Sequence, residues 1–121
     1  MLTIYCYAKC STCKKALAWL DARGEKYTLL DIKTQHPDET TLRDLYAKSD
    51  LPLKRFFNTS GILYRENDFA HKLPSMSESA QIALLASDGM LVKRPLFVLE
   101  RDGKTTVIPG FKEAAWKKCL E

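Results

Sequence analysis

Apolar and β-branched residues alternate through Leu2-Thr3-Ile4-Tyr5-Cys6, the period of two that marks a half-buried strand. From Ser11 the period changes. Cys13, Ala16, Leu17 and Leu20 recur at three- and four-residue intervals, the spacing of one helix face, and Arg23-Gly24 supplies a C-terminal stop. Ser11 is the expected N-cap of this helix. Lys26 to Ile32 reads as a second strand, and a strand, helix and strand of this length form a right-handed parallel unit.

Pro37-Asp38-Glu39 opens a second helix to about Lys48, with Leu42, Leu45 and Tyr46 facing inward, and Pro52 begins a shorter one through Phe56-Phe57. Asn58-Thr59-Ser60-Gly61 is a turn. Ser77 to Ser87 is helical, with Ile82, Leu84 and Leu85 toward the core. Leu96–Glu100 and Thr105–Ile108 are strands around Arg101-Asp102-Gly103-Lys104, where Asp-Gly signals a hairpin, and a last helix runs from Phe111 to Leu120. The order predicts an α/β domain over residues 1–121: a thioredoxin-like mixed four-stranded sheet with flanking helices and a helical insertion over about residues 38–90.

Composition narrows the class. The 121 residues are 45% hydrophobic and 28% charged, the mix of a globular protein. The N-terminus has no basic region followed by a long apolar run, and no eighteen apolar residues stand together, so the expected site is cytoplasmic, away from the membrane. The net charge of +4 comes from lysines and arginines spread along the chain, which does not call for direct nucleic-acid contact.

In a reducing compartment, closely spaced cysteines point to catalysis, redox sensing or metal binding rather than to structural disulfides. Cys6, Cys10 and Cys13 fall within eight residues where a strand hands over to a helix. Backbone N–H groups and the positive end of the helix dipole favour an anion there, and Lys9, Lys14 and Lys15 add charge. Cys10, just before the first turn, is the nucleophile candidate. Cys13, three residues on, can reach back to form a disulfide and resolve an adduct.

Cys6 continues the buried alternation of Leu2 and Ile4, as a small hydrophobe would. Two rival readings use the same residues. Cys6-x3-Cys10-x2-Cys13 matches the iron–sulfur spacing of radical S-adenosylmethionine enzymes, but such barrels run to roughly 200 residues or more. Cys10-x2-Cys13 is half of a zinc site, yet His36, His71 and Cys119 each stand alone and supply no second half. No metal or bound cofactor is expected.

Several motifs together carry a resemblance: Tyr5, the run Cys10-Ser11-Thr12-Cys13-Lys14-Lys15-Ala16 with Trp19-Leu20, the turn Asn58-Thr59-Ser60-Gly61, and Lys93-Arg94-Pro95-Leu96 with Gly110-Phe111. They resemble the arsenate reductase and Spx family of thioredoxin-fold proteins, over nearly the whole chain. The resemblance implies that Cys10 is the nucleophile and that Arg94, before a cis Pro95, comes close to it and holds an oxyanion. A guanidinium keeps its charge and offers a planar fork of donors suited to that task.

Ser11, Thr12, Lys54 and Pro95 are expected around the substrate. The implied function is a thiol-disulfide oxidoreductase acting on arsenate or a mixed disulfide, reduced by an external thiol such as glutathione or thioredoxin. The alternative is a Spx-like redox-switched regulator whose partner is RNA polymerase or another protein.

Overall fold

The computed structural model describes residues 1–121. Strand β1 (Leu2–Cys6) leads into helix α1 (Ser11–Ala22) and returns through β2 (Thr28–Asp31). An insertion follows, made of α2 (Glu39–Ser49), α3 (Ile62–Glu66), α4 (Phe69–Lys72) and α5 (Glu78–Ser87), with 3₁₀ turns at Leu53–Phe56, Leu73–Ser75 and Gly89–Leu91. The chain closes with β3 (Leu96–Arg101), β4 (Lys104–Pro109) and α6 (Glu113–Leu120). The sheet order is β2-β1-β3-β4. β1 runs parallel to β2, with Ile4 opposite Leu29, and antiparallel to β3, with Ile4 opposite Phe97. This is the mixed four-stranded sheet that the alternation of elements predicts.

The two central strands are apolar on both faces because helices cover both. Leu2, Ile4 and Cys6 of β1 pack with Cys13, Ala16 and Leu20 of α1 and with Trp116 and Leu120 of α6. On the opposite face Tyr5, Leu96, Val98 and Val107 meet Leu42, Leu45, Phe56, Ile82 and Leu85 of the insertion. Each such side chain contributes roughly 1.5–3 kcal/mol when fully buried, so burial fixes the insertion to one face of the sheet as it fixes α1 and α6 to the other.

Local chemistry sets the ends of these elements. Asp38 caps α2 by accepting the Thr41 N–H at 2.8 Å, and Ser77 caps α5 by accepting the Ala80 N–H at 3.1 Å. The β3–β4 turn places Asp102 at φ 56° and Gly103 at φ 76°, the pair of positive angles a two-residue hairpin needs. Gly89 is required for space: a Cβ there would lie 1.7 Å from the Ile32 carbonyl oxygen.

Several expectations shift. β2 begins at Thr28 rather than Lys26, and α6 at Glu113 rather than Phe111. Leu84 and Tyr46 are only half-buried. The N-cap of α1 is Cys10, not Ser11. Helices α3 and α4 carry no legible period, because Asn67 and the left-handed Asp68 (φ 54°) break the segment into pieces too short to display one.

Candidate active site

Cys10 owes its position to a turn at the end of β1. Its N–H donates to the Tyr7 carbonyl at 3.0 Å, and its own carbonyl accepts the Lys14 N–H at 3.1 Å. Its backbone stays extended (φ −88°, ψ 120°), so its side chain stands before the first turn of α1. No side chain caps that turn and no acidic residue lies in it. The first-turn N–H groups are therefore free to face an anion held near Cys10.

Arg94 arrives from the other end of the insertion. Phe57 and Val92 form an isolated antiparallel bridge, the Lys93 N–H donates to Phe56 O at 2.8 Å, and the Asn58 N–H donates to Leu91 O at 2.7 Å. This pairing sets Asn58 beside Arg94. With the Asn58 amide turned so that its oxygen accepts, Arg94 Nη1 and Nη2 donate to it at 3.2 and 3.3 Å, the orientation being assigned from the donors around it. Nη1 also donates to Met90 O at 3.2 Å, and the guanidinium lies 5.2 Å from the centre of the Tyr7 ring. The Arg94–Pro95 bond is cis.

Two adjoining clefts share Thr12, Lys93 and Arg94. One, of about 460 Å³, is lined by Cys10, Asn58 and Arg94. The other, of about 540 Å³, is lined by Lys54, Arg55, Lys93, Arg94 and Lys112, with no carboxylate. Five cations without a counter-charge make a field for an anionic ligand. Gly110 forms part of the wall at φ 85°, where a Cβ would be strained and 3.2 Å from Lys93 Cε. Its N–H donates to Pro95 O at 2.8 Å and its carbonyl accepts Trp116 Nε1–H at 3.2 Å, so the core holds this wall in place.

Behind Cys10 lie two buried thiols. Cys6 and Cys13 pack in one cluster, and donation from the Cys6 thiol to the Cys13 sulfur is the main reason Cys13 is lowered to about 6. Burial opposes the shift. The Tyr7 N–H, 3.5 Å from Cys13 Sγ, a hydrogen bond with Cys10 and the charge of Arg94 reinforce it. Cys6 is pushed up for the complementary reasons: it donates to Cys13, is buried, and would repel the Cys13 charge. The sequence expectation placed the favoured thiolate at Cys10; the pair interaction that singles out Cys13 depends on a partner from β1.

The structure brings Cys10, Thr12, Arg94 and Lys54 around connected space, with Cys13 buried beneath Cys10. Ser11 is exposed and lines neither cleft. Pro95 is buried and meets the site through its bond to Arg94. Asn58 was legible as a turn and family-motif residue but with no role of its own; its contact with Arg94 follows from the Phe57–Val92 bridge, which pairs two segments of the insertion. No group of three or more His, Cys, Asp or Glu side chains is placed to hold a metal ion, and no helix is long and apolar enough to cross a membrane.

A parallel β-α-β unit joined to an antiparallel hairpin, with a cysteine heading α1 and a cis Arg94–Pro95 bond leading into β3, defines a thioredoxin-like protein. Within that class the chain belongs to the ArsC family, whose model matches residues 5–119. It is similar to the uncharacterised protein YusI of Bacillus subtilis, 51% identical over 112 residues that cover 93% of this chain and 92% of that one. Among solved structures, an ArsC family related protein from Bacteroides fragilis is 45% identical with a TM-score of 0.90, over 97% of this chain and 95% of that chain. A possible arsenate reductase from Streptococcus mutans is 40% identical with a TM-score of 0.86, over 100% and 98%.

Proposed function

We propose that the chain is a thiol-disulfide oxidoreductase for anionic substrates. Cys10 gives its proton to the Cys13 thiolate beside it and attacks one sulfur of a mixed disulfide; the other sulfur leaves as a thiolate and takes the proton back from Cys13. Cys13 then attacks Cys10 Sγ, expels the bound thiol and closes a Cys10–Cys13 disulfide. Two electrons pass from the cysteine pair to the substrate, and an external thiol of the glutathione or thioredoxin kind restores the pair. Arg94, oriented by Asn58, holds the anionic group, and the Lys54–Lys112 cleft receives the rest of the substrate. Arsenate fits the same reading, since its reduction to arsenite takes the same two electrons.

The observation that carries this reading is the opening of Cys10 and Arg94 onto one cleft that contains no carboxylate. The test is a panel of reductase assays with arsenate, a glutathionylated peptide and hydroxyethyl disulfide, run on wild type and Cys10→Ser. Turnover of at least one substrate, lost in Cys10→Ser, is the expected result. Equal rates in the two proteins would remove Cys10 from the chemistry.

A further inference from the structure

Cys6 ends β1 on the face that packs against α1, where it is 5% exposed and meets Cys13, itself 1% exposed. Cys10, the N-cap of α1 three residues before Cys13, packs against the same cluster, so Cys13 neighbours both a thiol from β1 and a thiol from the head of its own helix. These two neighbours open on different surfaces. Cys10 lines the cleft with Asn58 and Arg94, whereas Cys6 and Cys13 line a separate cleft with Leu17, Leu29 and Leu30.

Resting on the thiol chemistry proposed above, we propose that Cys6 is a third redox thiol that attacks Cys13 Sγ of the Cys10–Cys13 disulfide, forms a Cys6–Cys13 disulfide and expels Cys10 as a thiolate. One S–S bond breaks and one forms. No external oxidant is consumed, and the proton that Cys6 gives up ends on Cys10 or in solvent. The disulfide thus moves into the core, and Cys10 returns to the cleft as a free nucleophile while the chain stays oxidised by two electrons.

The state of Cys13 gates the step. In the reduced protein the Cys13 sulfur beside it and burial raise Cys6, which favours its protonated form. Once Cys13 is bonded to Cys10 its charge is gone, and with it the hydrogen bond to the thiolate and the repulsion that raise Cys6, which leaves burial as the main remaining cause. The leaving sulfur is delivered to the uncapped first turn of α1, where an anion is favoured.

The test is time-resolved disulfide mapping. Reduced wild type, Cys6→Ala, Cys6→Val and Cys10→Ser are exposed to hydroxyethyl disulfide, quenched by alkylation and digested. Wild type is expected to show Cys10–Cys13 first and Cys6–Cys13 later, with Cys10 alkylated; excess reagent should then place a hydroxyethyl adduct on Cys10. Whichever Cys6 variant melts like wild type should stop at Cys10–Cys13. Cys10→Ser should form Cys6–Cys13 at least about tenfold more slowly, because the reagent must then reach a buried thiol.

Wild type that holds Cys10–Cys13 to completion with Cys6 free, or Cys10→Ser that oxidises as fast as wild type, overturns the inference. If turnover is still lost in Cys10→Ser, the oxidoreductase reading survives that failure. If turnover persists there, both fall.

Discussion

The side-chain oxygen of Asn58 faces the Arg94 guanidinium, with Nη1 and Nη2 at 3.2 and 3.3 Å. The contact aims a flexible cation at the cleft and leaves the Asn58 backbone bond to Leu91 untouched. Asn58→Ala should therefore lower turnover about tenfold, near 1.4 kcal/mol, with little change in melting temperature. Asn58→Asp is the sharper variant: its carboxylate would pair with Arg94 and compete with an anionic ligand. KM should rise for a glutathionylated peptide much more than for neutral hydroxyethyl disulfide. An equal rise for both would mean that Asn58 only shapes the loop.

Arg94 itself separates charge from geometry. Arg94→Lys keeps the charge but loses the planar fork. If the fork binds the anionic group in the transition state, kcat/KM should fall about ten- to a hundredfold, the equivalent of roughly 1.5–3 kcal/mol. Arg94→Ala should be at least as damaging. Full activity of Arg94→Ala on the anionic substrates would take Arg94 out of the site.

Much of this fold lies on the surface of the sequence because its elements are strongly periodic. The alternation of Leu2, Ile4 and Cys6 and the helical spacing of Cys13, Ala16 and Leu20 each bury one face, and those two faces meet in the structure. Arg94 was reachable through its neighbour Pro95 in a family motif, not through any local pattern. Asn58 was not reachable as a site residue, since its role depends on the bridge between Phe57 and Val92, thirty-five positions apart. The Cys6–Cys13 contact could have been suspected: both lie on apolar faces of adjacent elements. Which of the two thiols takes the charge depends on hydrogen bonds that no spacing encodes.

Trp116 links the core to the cleft wall. It is fully buried, its Nε1–H donates to Gly110 O at 3.2 Å, and its ring packs against Phe97 and Phe111 at 4.7 and 4.9 Å between centroids. Trp116→Phe removes the donor and leaves the Gly110 carbonyl without that partner, a loss of about 1–3 kcal/mol. Trp116→Ala adds a cavity and should cost about 3–5 kcal/mol. Urea unfolding midpoints measure both. KM for anionic substrates should rise in Trp116→Phe as the Gly110 wall loosens, and unchanged kinetics would show that the wall holds without this bond.

The pairing of Cys6 with Cys13 should leave a signature in stability against pH. An unfolded thiol titrates near pH 8.5. Cys13, lowered to about 6 in the folded chain, adds stability that is fully present above about pH 8.5 and is lost as pH falls through about 6. Cys6 acts in the opposite sense: raised in the folded chain, it stays protonated where the unfolded chain ionises, so it subtracts stability above about pH 8.5. Together they give a rise from about pH 6, a maximum near the ordinary thiol range and a decline beyond it, with a slope of at most about 1.4 kcal/mol per pH unit for each thiol. Other titrating groups cancel when wild type is compared with Cys13→Ala, which removes one thiol and the interaction that perturbs the other. Urea midpoints under reducing conditions from pH 5.5 to 10 should therefore lie closest at the acid end, where only the packing loss separates them, and move apart toward pH 8.5. Parallel curves across that range would show that Cys13 does not carry the charge of the pair, and the gating of Cys6 by the state of Cys13 would lose its physical basis.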